Sequence, residues 1–214
     1  MRLYKYISPV LLLTLVLGVT MNADNVNVSG FNNLPKNSAI SRNDVLKQEI
    51  DKRLSYENIP PSDLDQENYK IVRIAYDQVG NVGGEKFWSW YGFGSHVPWC
   101  CCFISWCADQ LGLIDAGIIP KFAAVSYGAN WFMEKDQWLW GYETPEPGMV
   151  IFFDFANANL EDIKDGRADH VGFVKNVKDG YVYCIEGNYN DSCRETKYQI
   201  GHTNIFGYGT PKYR

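Results

Sequence analysis

The sequence predicts an α+β domain in which N-terminal helices pack on a small antiparallel sheet. In the first half of the folded region, apolar residues recur at helical spacing, whereas the second half has short apolar runs separated by turn residues. Helices followed by a run of strands are typical of an α+β domain. With 214 residues, 46% of them hydrophobic, the chain can form one such domain with short appendages.

Two helices are predicted before the strands. Residues 69–79 place apolar side chains on one helical face, and Gly80 follows as a C-terminal glycine. The second helix is expected to begin at Cys100, because Pro98 has a fixed φ that suits a first helical turn. The segment Gly83–Gly94 between them is predicted to be a glycine-rich loop with aromatic side chains.

The strands predicted in the second half include a hairpin. Residues 149–153 form a short apolar run typical of a buried strand. Two further runs, 170–177 and 181–186, are joined by Lys178-Asp179-Gly180 and are predicted to pair as a hairpin. His170 would then begin one strand and Glu186 would end its partner, so both polar groups would lie near the start of the second helix.

The amino terminus predicts export. Arg2 and Lys5 precede the apolar run Ile7–Val19, whose thirteen residues suit a secretory signal and fall short of the roughly 20 that a spanning helix needs. We therefore expect residues 1–23 to be a signal peptide and the protein to be secreted or held at the cell surface. Because the cleavage sites after the run are mediocre, an uncleaved N-terminal membrane anchor stays open.

Residues 24–65 are rich in Asn, Ser and charged side chains, and are predicted to be a polar linker with one short helix. The folded domain is expected to span residues 66–214. The formal net charge of −5, without a basic cluster, excludes a nucleic-acid-binding protein of the usual kind. No repeat or heptad pattern indicates a second module, and a monomer is expected.

The chemistry is predicted from three separated residue types. A thiolate at Cys100 would lie at a helix N-terminus, where free N–H groups and the helix dipole favour an anion. A thiol nucleophile needs a base, for which His170 is the candidate, and the base needs an acceptor that fixes its tautomer, for which Glu186 is the candidate. Asn188 is the fourth candidate catalytic residue, although it can also be a simple turn former.

Several motifs of the chain resemble the CHAP domain, the cysteine- and histidine-dependent amidohydrolase/peptidase family. They are the run Gly-Gly-Glu-Lys-Phe-Trp-Ser-Trp-Tyr-Gly at 83–92, Trp99-Cys100-x-x-Phe103, Pro147-Gly148, His170-Val171-Gly172 and Glu186-Gly187-Asn188. The resemblance covers residues 66–214. It implies a papain-like (NlpC/P60-like) fold and the hydrolysis of an amide bond in bacterial peptidoglycan, with Cys100 as nucleophile, His170 as base and Glu186 orienting the imidazole.

The aromatic residues allow two interpretations. Trp88, Trp90, Tyr91 and Trp99 are the candidate substrate-binding residues, because the first three lie in the segment that leads to the nucleophile. For Trp99 a place in the core is the favoured interpretation, since large aromatic side chains dominate burial.

No metal or cofactor is expected. The acidic segment 154–169 has no spacing of a calcium loop, and the cysteines lack the paired spacing of a zinc site. Cys101, Cys102 and Cys107 are predicted to be small buried groups. A disulfide between Cys184 and Cys193 stays open, because the chain is expected to be exported.

The predicted function is a peptidoglycan hydrolase that uses a cysteine nucleophile. It would act either as an N-acetylmuramoyl-L-alanine amidase or as an endopeptidase of the stem or cross-bridge peptide, and the sequence does not choose between them. Two alternatives are a wall-binding module that recognises wall peptide without cutting it and a cysteine peptidase that acts on proteins. The complete Cys, His and Glu set favours hydrolysis over binding alone.

Overall fold

The structure is a computed structural model that describes residues 65–155 and 167–214. The predictions for residues 1–23 and for all but the last residue of 24–65 lie outside the described residues, as does most of the acidic segment 154–169. Within the described ranges, no helix has the length and apolar character needed to cross a membrane.

The described part of the chain has four helices, followed by the strands of one sheet. The helices are α1 (Glu67–Tyr76), α2 (Glu85–Tyr91), α3 (Cys100–Asp109) and α4 (Val125–Glu134). The strands are β1 (Trp138–Trp140), β2 (Val150–Phe153), β3 (His170–Lys178), β4 (Tyr181–Tyr189), β5 (Ser192–Gln199) and β6 (Ile205–Gly209).

The six strands form one antiparallel sheet in the order β1-β6-β2-β3-β4-β5. Two tight hairpins join β3, β4 and β5. β3 turns into β4 through Asp179 and Gly180, and β4 turns into β5 through Asn190 and Asp191, with positive φ at all four residues. Two-residue turns of this kind match the twist of the strands that they join.

The two faces of the sheet have separate apolar clusters because side chains alternate along each strand. Helix α3 packs against β3 and β4 on one face, where Phe103 contacts Phe173 with a ring separation of 6.2 Å. The opposite face carries a smaller cluster. Its buried members are Ile151, Phe153, Val174, Val182, Cys184, Ile205 and Tyr208.

The structure has the α+β architecture that the sequence predicts, with mixed helices and an antiparallel sheet. The hairpin of β3 and β4 and the helix start at Cys100 are as predicted. The prediction of a loop over Gly83–Gly94 is wrong, because this segment contains α2 between Gly84 and Gly92. Both glycines have left-handed backbone conformations, so they end the helix at each side rather than prevent it.

The disulfide that the sequence left open between Cys184 and Cys193 is contradicted by the sheet. Cys184 belongs to the smaller cluster on one face, whereas Cys193 belongs to the cluster that contains α3 on the other. Their side chains therefore point to opposite sides of the sheet. Both cysteines are free thiols and both are buried.

Candidate active site

Cys100 is the first residue of α3 and is 6% exposed. The N–H groups of a first helical turn have no acceptor within the helix, so a thiolate there lies beside free donors. The residue before it is held firmly. The indole N–H of Trp99 donates to Oδ1 of Asp191 over 3.0 Å, and the Trp99 ring stacks on Phe87 with a centroid separation of 5.3 Å.

The prediction that Trp99 binds substrate is wrong. Its side chain is 0% exposed and belongs to the main core, so its ring offers no surface to a ligand. The sequence places Trp99 next to the nucleophile but does not determine its direction. In the structure the side chain points inward and anchors the start of α3 to the β4–β5 turn.

His170 and Glu186 are brought together by the β3–β4 ladder. The register pairs Gly172 with Glu186, and His170 lies two residues earlier on the same face of β3. Nε2 of His170 is 2.9 Å from Oε2 of Glu186, whose side chain is 0% exposed. A buried carboxylate in this position fixes the imidazole tautomer, leaving Nδ1 as the ring nitrogen that interacts with the Cys100 thiol.

The Cys100 thiol and the His170 imidazole interact, and their pKa values are shifted in opposite directions. Burial alone would lower the pKa of His170, but hydrogen bonds and charge interactions with Cys100 and Glu186 raise it to about 9. The pKa of Cys100 is well below its usual value. The largest cause is a hydrogen bond with the Cys101 thiol; burial opposes it, and His170 lowers the pKa further. Both shifts favour a thiolate beside a protonated imidazole.

The Cys101 thiol has a role that the sequence did not predict. It hydrogen-bonds with Cys100, and this interaction is the largest cause that raises the pKa of Cys101 itself. Cys101 therefore remains a protonated donor while its neighbour is ionised. The sequence predicted only a small filler at this position, and adjacent cysteines at a helix start are the signal that could have indicated the contact. Cys102 and Cys107 are buried, as predicted.

Two of the motif glycines lie where no other residue would fit. A Cβ at Gly172 would come within 2.8 Å of Cγ of Glu186, so only glycine leaves room for this side chain across the ladder. A Cβ at Gly187 would come within 2.6 Å of Cβ of Phe103, so glycine lets α3 approach β4 closely. The glycines of the His-Val-Gly and Glu-Gly-Asn motifs thus leave room for neighbouring side chains, while His170 and Glu186 supply the chemical groups.

An open cleft of about 440 Å³ lies beside the imidazole. Its lining residues are Phe155, Asp169, His170, Asn188, Tyr189 and Asn190. Asn188 is thus on the same cleft as His170, in a left-handed backbone conformation with φ of 62°. The rings of Phe155 and Tyr189 lie 5.6 and 6.4 Å from the imidazole, so they wall it on the sides.

The aromatic residues of α2 lie outside the lining of this cleft. Trp88 packs partly against the core and donates its indole N–H to the carbonyl oxygen of Gly83 over 2.9 Å. Trp90 and Tyr91 both lie under the Lys121 ammonium, at 4.7 and 4.8 Å from their ring centroids. The pKa of Tyr91 is raised by burial and then by the nearby Cys102 and Cys101, so Tyr91 is close to the start of α3.

The β5 strand supplies two contacts to Glu186 that the sequence analysis missed. Oε1 of Glu186 accepts hydrogen bonds from the hydroxyls of Thr196 and Tyr198, the latter over 3.0 Å. The available signal was the Asn190-Asp191 pair, which favours a tight turn and hence a further strand after β4. The alternation of Arg194, Thr196 and Tyr198 on one face then follows from strand geometry.

No group of three or more His, Cys, Asp or Glu side chains that could hold a metal ion occurs in residues 65–155 and 167–214. Cys100 and His170 are themselves of the residue types that serve as a nucleophile and its base.

The family model of the CHAP domain matches residues 90–188. A solved structure described as "The crystal structure of Ly7917" is similar at 16% identity and a TM-score of 0.44, covering 67% of this chain and 62% of that chain. A second, "The crystal structure of Ly7917 with the hydrolyzing product of MDP", has 17% identity and a TM-score of 0.43 with the same coverage. The chain thus spans less than two thirds of the length of these proteins. Among curated proteins, none matches the sequence.

The matched region holds the helix that begins at Cys100, the strand that begins at His170, and Glu186. All the motifs from Trp99 to Asn188 on which the resemblance rests fall inside it. CHAP domains are usually hydrolases, and the family is one of peptidoglycan hydrolases. The match supports assigning residues 90–188 of this chain to the CHAP domain family.

Proposed function

We propose that this protein is a cysteine hydrolase that cleaves an amide bond of bacterial peptidoglycan. The observation that carries the proposal is the continuous chain from the Cys100 thiol through His170 to the buried Glu186 carboxylate. The match of residues 90–188 to the CHAP domain supports peptidoglycan as the substrate. Hydrolysis is favoured over simple binding because a lowered thiol pKa beside a histidine is costly to arrange and useful mainly for nucleophilic attack.

In the first half of the reaction, the Cys100 thiolate attacks the carbonyl carbon of the amide. The developing oxyanion accepts hydrogen bonds from the backbone N–H of Cys100 and a nearby second donor. The C–N bond then breaks as the His170 imidazolium gives its proton to the leaving amine. The product is a thioester on Cys100 and a neutral imidazole.

In the second half, His170 removes a proton from a water molecule that attacks the thioester carbon. The C–S bond breaks, the acid is released, and the thiolate–imidazolium pair is restored. Glu186 keeps its position throughout, since its oxygen remains bound to Nε2 and stabilises the protonated ring.

The proposed fold is papain-like, of the NlpC/P60 type. It is supported by a nucleophile at the start of a helix that packs on an antiparallel sheet, with the base at the start of a neighbouring strand. We further propose that residues 66–214 are the catalytic domain of an exported or surface-held monomer, with residues 24–65 as its linker. The proposed domain needs no cofactor.

Two bonds fit the proposal: the N-acetylmuramoyl-L-alanine amide and an amide within the stem or cross-bridge peptide. Tyr91 is proposed as part of the substrate wall near the start of α3, together with Asn188 in the cleft. Either bond presents a carbonyl flanked by an extended peptide, which suits an open cleft better than an enclosed pocket.

The experiment is digestion of purified sacculi by the full-length chain and by its Cys100→Ser variant, followed by mass spectrometry of the soluble products. We expect the wild type to release fragments with new amino termini and the variant to release none while it keeps the wild-type circular dichroism. Separated glycan and intact stem peptides would identify an amidase, whereas cleaved peptides would identify an endopeptidase. Equal release by the two proteins would overturn the proposal.

A further inference from the structure

Glu186 is a carboxylate without access to water, so protein groups must satisfy its oxygens. Its side chain is 0% exposed, and Oε2 is used by His170. Oε1 accepts from the hydroxyls of Thr196 and Tyr198. An unsatisfied buried carboxylate is costly, so these two donors hold the Glu186 side chain in place.

We propose that Thr196 and Tyr198 are positioning residues that hold the Glu186 carboxylate, and through it the His170 imidazole, in the orientation that serves Cys100. Their hydroxyls bind Glu186 rather than the nucleophile or its base. Their action would be indirect, through one oxygen of Glu186, while the other oxygen binds the ring. This inference rests on the proposed function, since it assigns a role within the same site.

The backbone places both hydroxyls for this purpose. The β4–β5 register pairs Cys184 with Thr196 and Val182 with Tyr198, and alternate residues of β4 share a face with Glu186. The donors are therefore delivered by a ladder of main-chain hydrogen bonds rather than by a loop. The β5 strand lies beyond residue 188, where the CHAP match ends, so this contribution comes from outside the matched region.

Packing holds Tyr198 in its position. Its ring lies 4.9 Å from the ring of Phe153, and burial followed by the Glu186 charge raises its pKa far above the ordinary value. The hydroxyl therefore stays protonated and can donate throughout the working range of pH. A tyrosine that merely filled space would not need its hydroxyl to be directed at the carboxylate.

The other titratable groups near Glu186 and His170 can be named. Cys184 shares a face of β4 with Glu186, and the Glu186 charge also acts on Cys193. Burial raises the pKa of both thiols, and that of Cys193 to about 12. Both are therefore neutral thiols. Cys100 faces His170 from α3, and Asp169 precedes it on the cleft rim.

Loss of either hydroxyl is expected to lower the pKa of His170. With fewer donors, the buried carboxylate is held less firmly and turns away from the imidazole. Its negative charge then lies farther from Nε2 of His170. The imidazolium is then less stable, and the pKa of His170 falls from about 9.

The chain offers a close control for this test. Tyr208 is a buried tyrosine of the smaller cluster, against which Tyr198 also packs. Its hydroxyl has no hydrogen-bond partner among the described residues. Tyr208→Phe removes a buried hydroxyl that contacts no acceptor, whereas Tyr198→Phe removes one that contacts Glu186. For the threonine, Thr196→Val deletes the hydroxyl at nearly constant shape, and Thr196→Ser restores it.

The experiment is an imidazole NMR titration of the full-length protein, with the His170 signals assigned by their absence in His170→Ala. We expect Tyr198→Phe and Thr196→Val each to lower the pKa of His170 by about one unit, as the loss of a charge-assisted hydrogen bond implies. Tyr208→Phe and Thr196→Ser should leave it at the wild-type value. On a soluble muropeptide, the first two variants should lose kcat with little change in KM.

An unchanged His170 pKa in folded Tyr198→Phe and Thr196→Val would overturn the inference, as would an equal shift in Tyr208→Phe. Because the titration needs no substrate, it separates this proposal from the function. A shifted pKa in a protein that does not cleave peptidoglycan would contradict the function alone, whereas normal cleavage with no shift would contradict only the role of the two hydroxyls.

Discussion

Gly172 lies directly opposite Glu186 in the β3–β4 ladder, and a Cβ on Gly172 would come within 2.8 Å of Cγ of Glu186. The Glu186 side chain therefore occupies the space that a side chain on Gly172 would fill. This relationship joins the sheet register to the site, because a shift of either residue would separate Glu186 from His170.

Gly172→Ala is expected to displace Glu186 and weaken its contact with the imidazole. A displacement near 1 Å within such a site can cost about 100-fold in kcat/KM, and overpacking a filled position destabilises a protein by about 1–3 kcal/mol. The measurements are muropeptide turnover and urea unfolding. Gly94→Ala is the control, because no atom lies within 4 Å of the Cβ built there. Full activity in Gly172→Ala would show that the space is not needed.

The pH dependence of turnover follows from the thiolate–imidazolium pair. The pKa of His170 is raised to about 9, so the proton that the leaving amine needs is present below that value and is lost as pH rises through it. The pKa of Cys100 is lowered, so the thiolate persists well below the usual thiol range and is lost only as pH falls further. We expect a bell-shaped profile whose limbs belong to the pair.

The measurement is kcat/KM for a soluble muropeptide across the pH range in which the fold is stable by circular dichroism. An alkaline limb near the ordinary histidine value would contradict the paired state, since it would indicate an imidazole that gains nothing from Cys100 and Glu186.

Cys101→Ala is expected to raise the pKa of Cys100. The hydrogen bond with the Cys101 thiol is the largest cause that lowers it, and the loss of one such bond to a charged group corresponds to about one pH unit. Thiolate absorbance in the ultraviolet, with Cys100→Ser as the blank, measures the change. Cys102→Ala is the matched control, because its buried thiol is not a cause of the lowered Cys100 pKa. An equal effect of both substitutions would indicate general loosening of α3.

The parts of the site that the sequence predicted are those fixed by local signals. The start of α3 at Cys100 follows from a proline and helical periodicity, and the β3–β4 hairpin follows from Asp179-Gly180 between two apolar runs. These local signals identify the elements that carry Cys100, His170 and Glu186.

The parts that it did not predict depend on the direction of single side chains. Trp99 borders the nucleophile in sequence, yet its ring lies in the core, where it stacks on Phe87 and donates its indole N–H to Asp191. Thr196 and Tyr198 lie in a strand at the edge of the sheet, whose polar residues resemble a loop when only composition is considered. Tertiary pairing decides such strands more than intrinsic preference does.

The most direct test is the rate at which iodoacetamide modifies Cys100 at mildly acidic pH, compared between the wild type and His170→Ala by peptide mapping. An ordinary thiol is protonated there, so rapid modification requires a thiolate stabilised by its surroundings, to which His170 contributes. We predict fast and selective modification of Cys100 in the wild type and a loss of about tenfold or more in His170→Ala. Equal rates in the two proteins, or modification of other cysteines in place of Cys100, would contradict the account.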